Sequence, residues 1–414
     1  MLHRSASAAG IAISRSARSE LMLYGGSHVG KSILWQSADA LSLYFWTEVA
    51  GVEPLAAGWL FLIGMIWSGL LDLLVGSFLA QRTDYRCRRM LQFGIPASAI
   101  TFAAMFAAPV LWPQGGITAA AVTSVLFRTA YAAIDVPQNF LMIKIADSTS
   151  QLSRLSGART ITGSATSIGV AAAVGWLVVP HQPLATATQH FYLAGVLAAV
   201  ASAPLLLPCL YLKHHAPQAH PEQTKTPFAA DATVFLHLIL AVLVMGAIGK
   251  VLPYAALESG RTENWAGQAF LLLTIGKVMG GFVWPGIADR RSVWSAAALA
   301  HLVTLPLLLA AGWTDLSAGL LAWVLLLSLG FTLGGMNTLA WAMLGDSNGA
   351  ASGNAMVVSL FTVAAKLAVG LSGLLVAWIA STPRSPLLLT CLITSVAALA
   401  AAVLMFKMKG PLFR

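Results

Sequence analysis

Long apolar runs alternate with short polar breaks along the whole chain, and that rhythm predicts its elements. A membrane-crossing helix needs about 20 predominantly apolar residues. Runs of that order lie near 22–49, 56–79, 90–111, 117–143, 155–180, 187–212, 232–256, 266–286, 293–311, 317–344, 354–379 and 385–407, which predicts twelve spans. One break is longer and richer in Pro, His and polar residues, 213–231. The expected organisation is therefore a tail 1–21, an N-terminal six-helix bundle 22–212, a linker 213–231, a C-terminal six-helix bundle 232–407 and a tail 408–414. Inside several runs the polar positions recur at helical spacing. Lys31, Trp35 and Asp39 are four apart, as are Ser68, Asp72 and Gly76. Arg128, Asp135 and Asn139 fall on one side of span 4, and Ser359, Thr362 and Lys366 on one side of span 11. Such spacing gathers each set on one helix face.

Composition fixes the class. Of 414 residues 58% are hydrophobic and only 9% charged, against about 25% charged in an average soluble domain. The chain reads as an all-α polytopic membrane protein, its partners the lipid bilayer and a small solute, functional as a monomer. A net charge of +9 would point to nucleic acid in a soluble protein; here it reports cations retained in loops on one side. With the N-terminus inside, Arg82, Arg86, Arg88, Arg89, Lys144, Arg154, Lys213, Lys225, Arg290, Arg291, Lys407, Lys409 and Arg414 share its side, while Arg261 and Arg384 lie opposite. The expectation is an integral protein of a bacterial inner (plasma) membrane with both termini cytoplasmic. The Arg- and Ser-rich first twenty residues overlap in composition with a mitochondrial transit peptide and are read as a short cytoplasmic tail. A basic loop follows the second span of each half, Gln81–Arg89 and Gly286–Arg291. Cys87, Cys209 and Cys391 are far apart and form no C-x-x-C, so no disulfide, metal or cofactor is expected beyond a coupling ion. Trp46, Trp59, Trp112, Trp176, Trp265 and Trp378 lie near span ends and are expected as interface anchors. His28, His237 and His301 are expected to be packed or hydrogen-bonded.

Nine ionisable residues stand inside the spans: Lys31, Arg128, Arg159, Lys250, Lys277 and Lys366 against Asp39, Asp72 and Asp135. Charges in a bilayer are costly and mark functional sites. Counted along their helices at about 1.5 Å per residue, Lys31, Asp72 and Asp135 reach similar depths, so helices 1, 2 and 4 are able to bring a cation and two carboxylates together. Arg159 and Lys250 lie nearer span ends and are expected to snorkel to the interface. Even without those two, cations exceed anions by one, which favours a solute carrying a carboxylate or phosphate. Lys31 also belongs to Gly25-Gly26-Ser27-His28-Val29-Gly30-Lys31-Ser32, which matches the phosphate-loop pattern G-x-x-x-x-G-K-S. That loop requires a strand before it, whereas here both flanks are apolar helix.

Further motifs carry a family likeness. Span 1 ends in Leu43-Tyr-Phe-Trp-Thr-Glu-Val-Ala-Gly51, and span 2 holds Ile66-Trp67 and Asp72-Leu-Leu-Val-Gly76. Span 4 has Tyr131-Ala-Ala-Ile-Asp135-Val-Pro137, and spans 10 and 11 have Ala342-Met-Leu-Gly-Asp346 and Ser359-Leu-Phe-Thr-Val-Ala-Ala-Lys366. Nearly the whole chain resembles the glycoside–pentoside–hexuronide:cation symporters, the melibiose permease group of the major facilitator superfamily. That resemblance implies twelve helices in two six-helix halves and cation-coupled sugar transport by alternating access, not enzymatic catalysis. It implies that Asp72, with Ser68, lies at the cation-coupling position. Lys31, Ser32, Asp135, Asn139, Arg159 and Lys366 would line the substrate cavity, with Asp39, Arg128 and Lys277 as further candidates. The chain also departs from the family. Ser68 replaces the first of two span 2 carboxylates, which favours protons over sodium. Ser32 and Asn139 replace an acidic and an aromatic sugar contact, and the acidic run after Asp346 is missing. Two other functions remain open: a transporter or exporter of lipids, drugs or other amphipathic solutes, and a nucleotide-dependent membrane enzyme built on Gly25–Ser32.

Overall fold

Helices follow the apolar runs. The structure, a computed structural model, describes residues 15–80, 84–145, 158–169, 200–201, 204–206, 232–258, 265–314, 316, 319–348, 355–382 and 384–409. Helix α1 spans Arg15–Tyr44 and runs on into a π-helical turn, Phe45–Val49. Then come α2 Pro54–Ala80, α3 Asp84–Leu111, α4 Gly116–Ile145 and a helical stretch 158–169. The second half holds α5 Ala232–Glu258, α6 Trp265–Arg290, α7 Val293–Trp313, α8 Leu320–Asn348, α9 Ala355–Ala380 and α10 Pro386–Lys409. Among the described residues nine helices, α2 to α10, are long and apolar enough to cross a membrane. Helix α1 is less apolar because one face carries Ser27, His28, Lys31, Ser32, Gln36 and Asp39. The linker 213–231 and most of the predicted spans 155–180 and 187–212 lie outside the described residues.

Local chemistry sets the helix starts. Pro54 opens α2, where its missing N–H costs nothing, and the Glu53 carboxylate accepts from the N–H groups of Leu55 and Ala56 at 2.9 and 2.7 Å. Ser292 caps α7 by accepting from the Ser295 N–H at 3.1 Å. The expected basic loops are tighter than the hydropathy breaks suggest. Arg86, Arg88 and Arg89 already belong to α3, Arg290 ends α6, and only Arg291 and Ser292 separate α6 from α7.

Two helix pairings position the interior. Helices α2 and α9, one from each half, lie antiparallel: Gly58 meets Ala377, Gly370 meets Leu62 and Met65, and Gly69 meets Val363. Within the second half α6 and α8 touch backbone to backbone. A Cβ on Gly276 or Gly280 would collide with the carbonyl of Leu327 or Phe331, and one on Gly330 or Gly334 with that of Leu273 or Lys277. Each helix thus offers a G-x-x-x-G face, the small-residue contact that packs membrane helices closely.

Two expectations of exposure fail. Trp46 is 1% exposed and packs edge-on against Phe61, and Trp265 is 4% exposed with its indole N–H donating to the Leu316 carbonyl at 2.5 Å. Position near a span end gave no means of knowing that these indoles turn inward. Trp59, Trp112 and Trp378 are about half exposed, as anchors would be, and Trp176 lies outside the described residues.

Candidate functional site

The polar face of α1 meets α4, the stretch 158–169 and the facing helices α5, α6, α8 and α9 around a cavity of about 250 Å³. A chain of alternating charges runs along its edge. Lys31 Nζ lies 2.6 Å from Asp135 Oδ1 and donates to Asn139 Oδ1 at 2.6 Å. Lys366 Nζ lies 2.9 Å from Asp135 Oδ2 and 2.5 Å from Asp72 Oδ2. Asn139 donates back to Asp135 Oδ1 at 3.0 Å and accepts from Arg159 Nη1 at 2.9 Å. Arg159 stacks on Trp341, 4.3 Å from the ring centre. The order is therefore Asp72, Lys366, Asp135, Lys31, and it crosses from α2 to α9 to α4 to α1.

All four ions are buried, at 5% exposure or less. Breaking one buried pair leaves an uncompensated charge and costs about 3–5 kcal/mol, whereas the intact pair contributes little net stability. Such a chain is a poor stabiliser, and each link responds sharply to a change in its neighbour. Asp72 Oδ1 and the hydroxyl of Ser68, one turn before it, are buried and without hydrogen-bond partners among the described residues. Asp72 sits behind the cavity wall rather than on it.

Further along the cavity, Lys250 Nζ of α5 pairs with Asp39 Oδ1 of α1 at 2.8 Å. Lys250 is 5% exposed, so it does not snorkel: a carboxylate in the facing half offers a closer partner than the interface. Lys277 lines the cavity 5.9 Å from the Phe270 ring and has no carboxylate within 4 Å among the described residues.

The structure brings Lys31, Ser32, Asp39, Asp135, Asn139, Arg159, Lys277 and Lys366 into the cavity wall and sets Asp72 and Ser68 just behind it. Arg128 is elsewhere. Its guanidinium donates to Met65 Sδ at 3.0 Å and to Ser124 Oγ at 3.4 Å, over the face of Phe61, so it joins α2 to α4 and is not among the residues lining the cavity. Helices 1, 2 and 4 do contribute one cation and two carboxylates, but Lys366 of the other half is what joins the carboxylates. The apolar members of the wall, Val242, Met245 and Phe270 among them, escaped sequence reasoning: an aliphatic side chain facing a cavity has the same pattern as one facing lipid. His237 and His301 do hydrogen-bond, ring nitrogen to ring nitrogen at 3.2 Å, outside the cavity, and His28 lines it.

The phosphate-loop pattern is a run of helical turns. Gly25–Ser32 lies within α1, where backbone N–H groups are taken up by the helix and cannot cradle phosphate. Its glycines serve packing instead. A Cβ on Gly30 would collide with the Ala201 carbonyl, and Gly25 faces Thr162.

Comparison with known proteins agrees with this architecture. The protein named glycoside/cation symporter YagG of Escherichia coli is 32% identical over 117 residues, 28% of this chain and 25% of that one. The uncharacterized symporter sll1374 of Synechocystis is 27% identical over 280 residues, 63% of this chain and 48% of its own length. The chain thus spans a quarter to a half of these curated relatives. The crystal structure of the Escherichia coli fucose:proton symporter superposes with a TM-score of 0.66 at 15% identity, covering 96% of this chain and 100% of that one, which establishes a shared fold. The model of a family described as MFS/sugar transport protein matches residues 23–383, and this integral membrane protein belongs to that family.

Proposed function

We propose that the protein is a proton-coupled secondary transporter of a sugar-derived solute bearing an acidic group, working by alternating access between its two halves. The observation that carries this reading is the charge chain from Asp72 to Lys31, because Lys366 of the second half holds carboxylates on two helices of the first. A proton arriving at Asp72 would remove one of the two charges that hold Lys366. The cross-half contact then weakens, and the halves are freed to rock around a midplane site. The proton is favoured over sodium by charge and by ligand count. A sodium ion at Asp72 would sit beside the Lys366 ammonium, with one free carboxylate oxygen and the Ser68 hydroxyl offered by the described side chains there, whereas hard cations need several oxygens.

Arg159 and Lys277 support the acidic group. Both line the cavity and neither has a carboxylate within 4 Å among the described residues. An unmatched cation inside a membrane protein is costly, and an anionic substrate group supplies the missing charge. The test is uptake of labelled D-glucuronate and D-glucose into proteoliposomes under an imposed pH or sodium gradient. Accumulation of glucuronate driven by inward-directed protons is expected. Sodium-driven uptake at constant pH would overturn the choice of ion, and preference for glucose would overturn the acidic substrate.

A further inference from the structure

One buried cation takes no part in the charge chain. Arg128 of α4 is 5% exposed, and its guanidinium finds only a thioether, one hydroxyl and the face of Phe61 among the described residues. No carboxylate lies within 4 Å of it among those residues. A thioether is a weak acceptor, and an unmatched cation inside a membrane protein is costly. The apolar runs hold three carboxylates, Asp39, Asp72 and Asp135. Lys366 and Lys31 take the last two, which leaves Asp39.

Asp39 and Arg128 stand at matching levels of neighbouring helices. The facing pairs of α1 and α4 step by one turn in opposite chain directions: Lys31 lies on Asp135 at 2.6 Å, and Trp35 stacks on Tyr131 with ring centres 5.4 Å apart. One further turn along each helix reaches Asp39 on α1 and positions 127 and 128 on α4. In the structure Asp39 pairs across the halves with Lys250 of α5 at 2.8 Å. Lys250 Nζ and Arg128 Cζ each lie 5.3 Å from the centre of the Phe61 ring, so two cations share one ring and Asp39 is bound to the first. Gly64 leaves room beside the second, since a Cβ there would lie 2.7 Å from Arg128 Nε.

These partners belong to different halves. Lys250 and Lys277 of the second half draw away when the end that carries the Gly51 turn opens, whereas Asp39 and Arg128 stay together on the first. Loss of Lys250 alone would strand a carboxylate beside a guanidinium that already lacks one. From this arrangement, and resting on the reading of the protein as an alternating-access transporter, we propose that Asp39 exchanges partners during the cycle. It is held by Lys250 while this end is closed and by Arg128 while it is open. Arg128 is then a positioning residue: it keeps Asp39 matched after the halves part, and so sets how often this end opens.

The test is the rate at which Val242→Cys, in the cavity wall on α5, reacts with an impermeant thiol reagent applied from the Gly51 side. The protein is reconstituted in proteoliposomes with its native cysteines replaced by alanine. Arg128→Gln and Arg128→Met are expected to slow the reaction about tenfold; the methionine suits the apolar surroundings and guards against misfolding of the amide. Arg128→Lys keeps the charge and should stay within about twofold of the parent. Asp39→Asn with Lys250→Gln removes both the tie and the carboxylate. In that background neither neutral replacement should slow labelling by more than about twofold, because a coupling between two residues needs both. Equal slowing in the two backgrounds would make Arg128 a structural link only and overturn the exchange, as would no slowing in either. Rapid labelling from both sides in every variant would describe an open pore, and alternating access itself would fall.

Discussion

Asp72 gives one oxygen to Lys366 and keeps another free of hydrogen bonds among the described residues, so replacing it with its amide separates binding from coupling. Asp72→Asn keeps the shape and loses the titratable charge. It is expected to abolish gradient-driven accumulation while exchange of internal for external substrate persists, and counterflow in proteoliposomes measures both. Lys366→Ala removes the partner of two carboxylates at once and is expected to cost about 3–5 kcal/mol of stability. That deficit should shrink on acidification, because protonating an uncompensated buried carboxylate removes the charge that was costly; thermal unfolding at two pH values tests it. The ionisable residues themselves were legible, since each interrupts an apolar run. Their partners were not. Lys366 and Asp72 are 294 residues apart, and Lys250 near its span end gave no sign that Asp39 waits across the cavity. Arg128 obeyed the same spacing as Asp135 and yet faces Met65 and Phe61, because helical periodicity defines a face without naming what lies opposite.

Among the helices, α6 and α8 are the pair whose contact leaves least room. Gly276→Leu or Gly330→Leu would drive a side chain into opposing backbone, and either is expected to lower folded yield and melting temperature sharply. Gly286→Ala serves as the control, since nothing lies within 4 Å of its added Cβ and alanine favours the helix by up to about 1 kcal/mol. The repeated glycines are visible in the sequence as Gly276-x-x-x-Gly280 and Gly330-x-x-x-Gly334, although only the structure pairs them with each other. Among the described residues most helix ends fall within a few residues of the apolar runs, although α1 and α3 begin seven and six residues earlier than the runs at 22 and 90. The turns were less legible. Charged residues assigned to loops, such as Arg86 and Arg290, are helical, since a charge can leave the bilayer without the helix ending.

For the molecule as a whole, the two halves are tied at the end that carries the Gly51 turn. Thr47 and Tyr254 hydroxyls lie 3.2 Å apart, Asp39 pairs with Lys250, and Phe61 packs on Gly373. Removing the polar ties without stranding a charge, as Asp39→Asn with Lys250→Gln and Tyr254→Phe, is expected to open that end. A cysteine placed at Ser32 would then react with an impermeant thiol reagent from that side about tenfold faster, the ratio that about 1.4 kcal/mol makes. The polar stretch 213–231 predicts a division into halves and itself lies outside the described residues. Which aliphatic residues turn toward the cavity and which toward lipid was not legible.

The charge chain also has an electrical consequence. Asp72, Lys366, Asp135 and Lys31 sum to zero, so one added proton makes the group monopositive and one bound monoanion returns it to neutral. A cycle that moves the two together carries no net charge across the bilayer and does no work against a transmembrane voltage, which otherwise exacts about 2.3 kcal/mol per charge per 100 mV. Glucuronate uptake should therefore follow a pH gradient and ignore a potassium diffusion potential set with valinomycin. A neutral solute sharing the same proton would respond to both.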